Sequence, residues 1–209
     1  MKIVVIADDR LKEELLSQGS KEGAEIEWNQ DIHTVSKNAS IYFDLLYDTD
    51  KDERKKLLSQ LSADMIIVND VIGTNENLPS NFIRINGWPT FLQRNVTEAS
   101  TSNESIKEHV EKALSFFNKT IEWTADIHGF ITPRVVCTII NEAFFSLQHN
   151  VSSRDEIDTA MKLGTNYPYG PFEWCRLIGI EKVFLLLSVL SKQNKRYTPC
   201  DLLKKEFVF

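Results

Sequence analysis

Asp155-Glu156-Ile157-Asp158-Thr159-Ala160-Met161-Lys162-Leu163-Gly164, followed two residues later by Tyr167-Pro168-Tyr169-Gly170-Pro171-Phe172-Glu173, decides the fold of this chain. Ser152 or Ser153 stands ahead of it as the N-cap of a short helix through Leu163, and Gly164 is the natural C-cap. Gly170 and Pro171 set a sharp turn, because proline suits the first position of the helix that follows. Tyr167, Tyr169 and Phe172 then wedge helices together. Packing explains these residues better than direct contact with a ligand.

Working outward, the same helical character fills the C-terminal half. From Pro133 onward, Val135, Val136, Ile139, Ile140, Ala143, Phe144 and Leu147 form one broad apolar helical face. Phe172–Ile178, Ile180–Lys192 and a final segment from Pro199 complete it. The apolar run Val183–Leu190 is far below the roughly 20 residues a membrane span needs.

Toward the N-terminus the pattern changes. Short β-rich runs (Lys2–Ala7, Ala24–Trp28, Ser40–Leu46, Asp64–Asn69, Phe82–Asn86, Thr120–Thr124) alternate with helical stretches at Arg10–Gln18, Lys51–Leu61 and Glu104–Asn118. Several runs are continuously apolar, as in strands covered on both faces. Strand–helix alternation predicts a mostly parallel α/β sheet over residues 1–125, ahead of an all-α domain over 126–209.

Asp126-Ile127-His128-Gly129-Phe130-Ile131-Thr132-Pro133-Arg134 and Asn141-Glu142-Ala143 add to the opening stretch, and together they resemble the 3-hydroxyacyl-CoA dehydrogenase family. The family's helical C-terminal domain carries such a run, with glycines and prolines at the same intervals. More weakly, Ser40–Leu61 and Asp64–Asn69 resemble the family's strands and helix beneath its cofactor. The resemblance implies a reduced Rossmann-like sheet, an all-α C-terminal dimerisation domain, a homodimer formed through the C-terminal helices, and an acyl-CoA-like ligand in the interdomain cleft. It also implies NAD as the family's cofactor and a place in fatty acid metabolism.

The positions that would carry the family's chemistry are altered. A dinucleotide site needs G-x-G-x-x-G after the first strand, so that backbone can approach the pyrophosphate. This chain has Ala7-Asp8-Asp9-Arg10-Leu11-Lys12. At roughly 4 Å and an effective dielectric near 20, each carboxylate there would cost a bound phosphate a few kcal/mol. Asp8 or Asp9 reads as a helix cap, and no cofactor is expected. The family's general base is a His oriented by a Glu twelve residues later. Aligning Phe82–Pro89 with that segment puts Asn86 at the His position and Glu98 at the Glu position. Asn cannot cycle a proton near neutral pH, so the dyad lacks its base. Glu98 alone reads as a solvated or capping residue. The family's junction Asn falls at Pro133, and its Ser falls around Asn69–Val71. The family's long helical excursion after the second strand is reduced here to Asn29–Asn38.

Composition narrows the alternatives. Apolar residues at 42% support a packed core, while a formal charge of −6 disfavours nucleic acid, whose phosphates need clustered Lys and Arg. Cys137, Cys175 and Cys200 have no CxxC spacing, so neither a disulfide framework nor a zinc site is expected, and a reducing cytoplasm is the simplest setting. The acid run Asp48–Asp52 has Glu53 where a calcium loop needs Gly, and reads as a helix start capped by Asp50. Three functions are therefore weighed. The first is a family member without glycine-loop NAD-dependent activity that binds a ligand. The second is a divergent oxidoreductase acting on a 3-hydroxyacyl-CoA or related hydroxy acid. The third is a dimeric interaction module. No membrane or nucleic-acid partner is expected.

Overall fold

The structure, a computed structural model, describes residues 2–208. The chain forms two compact units that divide between Phe130 and Ile131. In the first, seven strands make one sheet: β1 (Lys2–Ile6), β2 (Glu25–Asn29), β3 (Ile41–Asp44), β4 (Met65–Asn69), β5 (Phe82–Ile85), β6 (Val96–Ser100) and β7 (Thr120–Trp123). Their order is β2-β1-β3-β4-β5-β6-β7. Every pairing is parallel except β5 with β6. The chain leaves β1 toward β2 and then returns to the other side of β1 as β3, so the topology reverses there. This is a Rossmann-like, mostly parallel sheet.

Helices α1 (Asp9–Leu16) and α3 (Lys107–Ser115) cover one face and α2 (Lys51–Leu58) the other. The continuous apolar runs follow from this double cover. Ile3 to Ile6 and Ile66 to Val68 have no exposed surface, which needs apolar side chains on both sides of the strand. Strand alternation then sorts the rest. Val5, Phe43, Ile67 and Ile85 join the α1/α3 side, while Val4, Tyr42, Val68 and Phe82 join the α2 side.

β6 is absent from the sequence expectation. Val96-Thr97-Glu98-Ala99-Ser100 has little intrinsic strand signal, yet it lies between β5 and β7 and takes its conformation from them. The division between units also lies later than the expected 125/126. Asp126–Phe130 is bound into the first unit: Arg84 Nη1 donates to Asp126 Oδ1 (2.6 Å), Gly129 N donates to Val71 O (2.7 Å), and the Arg84 guanidinium lies 4.9 Å from the Phe130 ring centre.

The second unit is all helical: α4 (Thr132–Gln148), α5 (Arg154–Thr165), α6 (Pro171–Ile178), α7 (Ile180–Gln193) and α8 (Asp201–Val208). The α4 face predicted from periodicity supplies Val136, Ile140, Ala143 and Phe144 to the core. Phe144 meets Phe172 edge to face at 5.1 Å, and the Arg154 guanidinium covers both rings. Asn141, also on α4, pins the C-terminal segment by accepting from Cys200 N (2.8 Å) and donating to Thr198 O (3.0 Å).

One expectation needs correcting here. Gly164 does not cap α5; the helix continues to Thr165, and Asn166 takes the left-handed conformation with φ 57°. Asn tolerates that region because its short polar side chain can bond locally, so the glycine is not needed for it. Ser153 caps the other end in a reciprocal box with Glu156.

Candidate functional site

The C-terminal ends of β1 and β3 flank the point where the topology reverses. At β1, the turn into α1 has Asp8 as N-cap, its Oδ1 accepting from Leu11 N at 2.7 Å. An unsatisfied N–H group and the positive end of the helix dipole are what would hold a phosphate, and the chain's own carboxylate already uses them. The residues present therefore do not fit a dinucleotide pyrophosphate. At β3, the buried Asp44 carboxylate sits with both oxygens 2.8 Å from Arg54 Nη1. Burial pushes its pKa up to about 6 against the opposing pull of Arg54.

Farther along the same sheet edge, Asn69 ties strand ends together. Its Nδ2 donates to Leu45 O (3.0 Å) and its Oδ1 accepts from Gly87 N (3.0 Å). Gly87 must be glycine, since a Cβ there would come within 2.9 Å of Asn69 Cγ. This close approach fixes the residue before it, Asn86, at the mouth of β5. Asn86 N donates to Glu98 O (2.9 Å), and Asn86 Nδ2 donates to Glu98 Oε2 (2.8 Å).

The structure thus brings together the two residues aligned with the family's dyad. It corrects the reading of Glu98 as solvated or capping: Glu98 is only 7% exposed, and it faces Asn86 across the β5–β6 pair. That placement was hidden because it depends on an antiparallel pairing of a strand with little strand propensity. Asn86 itself is 3% exposed, and its Oδ1 has no hydrogen-bond donor among the described residues.

Alternation along β5 and β6 places Arg84 and Ser100 on the same face as Asn86 and Glu98. Arg84 has no exposed surface and joins three segments by donating to Asp70 O, Asp126 Oδ1 and Ile127 O. Asn75 donates from Nδ2 to Ser100 Oγ (2.9 Å) and from its backbone N to the Asp126 carboxylate (2.9 Å). Its Oδ1 is buried and without a donor among the described residues. Neither Arg84 nor Asn75 was singled out from sequence. An arginine within an otherwise apolar strand (Phe82-Ile83-Arg84-Ile85) was the available signal.

The segment from Gly87 to Asn95 is held from outside. Glu14 of α1 accepts from Thr90 N (2.8 Å), and Lys119 Nζ donates to the carbonyls of Leu92 and Arg94. Lys119 is 2% exposed, and burial pushes its pKa down to about 8; burial likewise raises the Glu14 carboxyl. Pro133, aligned with the family's junction Asn, is buried at the start of α4. Among the described residues no group of three or more His, Cys, Asp or Glu could hold a metal, and Asp50 of the acid run caps α2. The three cysteines are free and buried.

Residues 129–208 match the family described as 3-hydroxyacyl-CoA dehydrogenase, C-terminal domain. The 3-hydroxyadipyl-CoA dehydrogenase of Escherichia coli (strain K12) is 45% identical over 112 residues, which are 53% of this chain and 24% of that protein. A 3-hydroxybutyryl-CoA dehydrogenase of Bradyrhizobium diazoefficiens is 30% identical over 185 residues, 78% of this chain and 62% of that protein. The chain therefore spans less than two thirds of the length of either curated relative. The crystal structure of (S)-3-hydroxybutyryl-CoA dehydrogenase from Ralstonia eutropha shares the fold with a TM-score of 0.75 at 18% identity, covering 98% of this chain and 92% of that one. With the helical signature, the reduced Rossmann-like sheet and these relatives in agreement, the chain is a member of the 3-hydroxyacyl-CoA dehydrogenase family.

Proposed function

We propose that this chain keeps the family fold but not NAD-dependent hydride transfer, and that it binds a ligand at the polar face carrying Asn86 and Glu98. The observation that carries this is the Asn86–Glu98 hydrogen bond. A buried carboxylate orients an amide at the position where the reaction needs a proton acceptor, and an amide does not titrate near pH 7. Asp8 supports the same conclusion by occupying the helix end that a pyrophosphate would need.

The names of the curated relatives suggest an acyl-CoA-like ligand. A homodimer through the helical unit is part of the proposal, supported by apolar side chains left open there, Leu163 at 83% and Leu185 at 47% exposed. A reducing, cytoplasmic setting is supported by the free cysteines. No helix among the described residues is long and apolar enough to cross a membrane.

A divergent oxidoreductase is the second reading, favoured by the burial of Glu98, a carboxylate placed where a reacting group could use it. Calorimetric titration with NAD and NADH, with and without acetoacetyl-CoA, separates the two. No cofactor heat up to about millimolar concentration is expected. Saturable micromolar binding would overturn the proposal and establish the oxidoreductase. An obligate dimer that takes up no small molecule would instead support a pure interaction module.

A further inference from the structure

We infer that the opposite edge of the sheet carries a second binding site, which takes a small protonated amine on a compact apolar body. It lies within the first unit at the amino ends of β3 and β4, a strand length from Asn86 and from the turn after β1. It is independent of the ligand proposed for that other edge.

The topology makes the recess. β3 and β4 run parallel with Ile41 opposite Met65, so Ser40 and Asp64 stand side by side just ahead of them. β6 runs antiparallel to β5, and α3 returns from β6 to β7, so α3 begins at this amino edge. Ile106, just before α3, and His109 in its first turn complete the walls. Together Ser40, Ile41, Asp64, Met65, Ile106 and His109 line a cavity of about 370 Å³. Small-molecule sites span about 300–1,000 Å³.

Floor and rim differ in chemistry. Ile41 and Met65 are buried and Ile106 half-buried, which makes the floor apolar. The rim is polar, with Asp64 and His109 exposed and Ser40 half-buried. Among the described residues, none of these three side chains has a hydrogen-bond or ion-pair partner within the chain. At the other edge the aspartates that end or follow the same two strands are committed, Asp44 to Arg54 and Asp70 to Lys51. Asp64 is left at the mouth of an apolar recess.

Charge selects the ligand. Lys107, the cation of the adjoining turn, is held by Glu104 Oε2 (2.7 Å) and lies over the Trp123 ring. The acidic charge lining the cavity is therefore that of Asp64 alone. It repels an anionic ligand, and a neutral alcohol offers it a weaker bond than a charged donor does. An ammonium takes the charge-assisted bond, with the Ser40 hydroxyl as a second acceptor. The apolar body then covers Ile41, Met65 and Ile106.

The test titrates the full chain, labelled for amide NMR, with phenethylamine, 2-phenylethanol and 3-phenylpropionate. Mildly alkaline pH keeps imidazoles neutral and the amine charged. Shifts are expected at Ile41, Met65 and His109, with the amine about five-fold tighter than the alcohol, the upper end for an exposed ion pair. The carboxylate probe should bind most weakly. In Asp64→Asn, a change at an exposed position, amine and alcohol should converge. Ile106→Trp, which fills the recess, should weaken both. Equal affinities in the unaltered protein, an amine preference that survives in Asp64→Asn, shifts confined to the carboxyl edge, or no saturable shift at millimolar probe would each overturn the inference. None of these outcomes touches the ligand proposed at Asn86 and Glu98.

Discussion

Asp158 on α5 and Gly170 ahead of α6 are matched so closely that a Cβ at position 170 would stand 2.4 Å from the aspartate side chain. The space is used: Asp158 Oδ1 accepts from Phe172 N (2.7 Å) and Oδ2 from Glu173 N (3.1 Å), capping α6 from a neighbouring helix. Glu173 closes the arrangement by accepting from Gly170 N and from Lys162. The stretch that identifies the family is therefore a helix-to-helix clamp.

Gly170→Ala should destabilise the protein by about 1–3 kcal/mol, the usual range for forcing an extra carbon into a packed site. Asp158→Asn should cost about 1–3 kcal/mol, because one of the two backbone donors, Phe172 N or Glu173 N, would face an amide N–H. Urea unfolding checks both. A Gly170→Ala protein as stable as the parent would show that the helices separate freely and that no clamp operates.

Asn86→Leu withdraws a buried donor from Glu98. Hydrogen bonds to charged groups are worth about 1.5–3 kcal/mol, and a loss of that size is expected. Asn86→His, which can renew the bond, should recover most of it. If both variants match the parent in thermal melts, the pair has no energetic coupling.

Arg84→Met removes the side-chain donor of the Asp70 and Ile127 carbonyls and one donor of the part-exposed Asp126 carboxylate, which keeps Asn75 N, and should cost about 1–3 kcal/mol. Hydrogen exchange gives the more specific test. Protection should fall at Gly129, whose N–H reaches Val71 O, and across Asp126–Phe130, while α6 and α7 keep theirs. Uniform loss over the whole chain would contradict a local role.

Lys119 predicts a pH effect of definite sign. Burial depresses its folded-state pKa from 10.5 to about 8, so between those values the unfolded chain binds more protons than the folded one. Its contribution to stability is present above the unfolded value and is lost as pH falls through about 8. Unfolding free energy should therefore rise with pH across that window, by on the order of 3 kcal/mol from this group. The difference between the parent and Lys119→Met isolates it. Parallel pH profiles for the two proteins would refute the assignment.

How much could be read in advance differs between the two units. The helical unit was legible because its determinants are local. Period-3.6 apolar spacing gives α4, Ser153 and Glu156 form a cap within one turn, and Pro171 marks the start of α6. The sequence by itself also determined the alternating α/β half and a helix cap at Asp8 or Asp9, which the structure places at Asp8, since both depend on residues within a few positions of each other.

The tertiary structure decided what depends on distant segments. β6 is a strand because β5 and β7 flank it, not because Val96–Ser100 favours one. Glu98 is buried only because that pairing turns it toward Asn86. Arg84 and Lys119 are charged residues whose partners are carbonyls and carboxylates far along the chain, and no periodicity announces them. Gly170, legible as a turn, owes its missing side chain to Asp158 twelve residues earlier, a steric condition that exists only once α5 and α6 have packed.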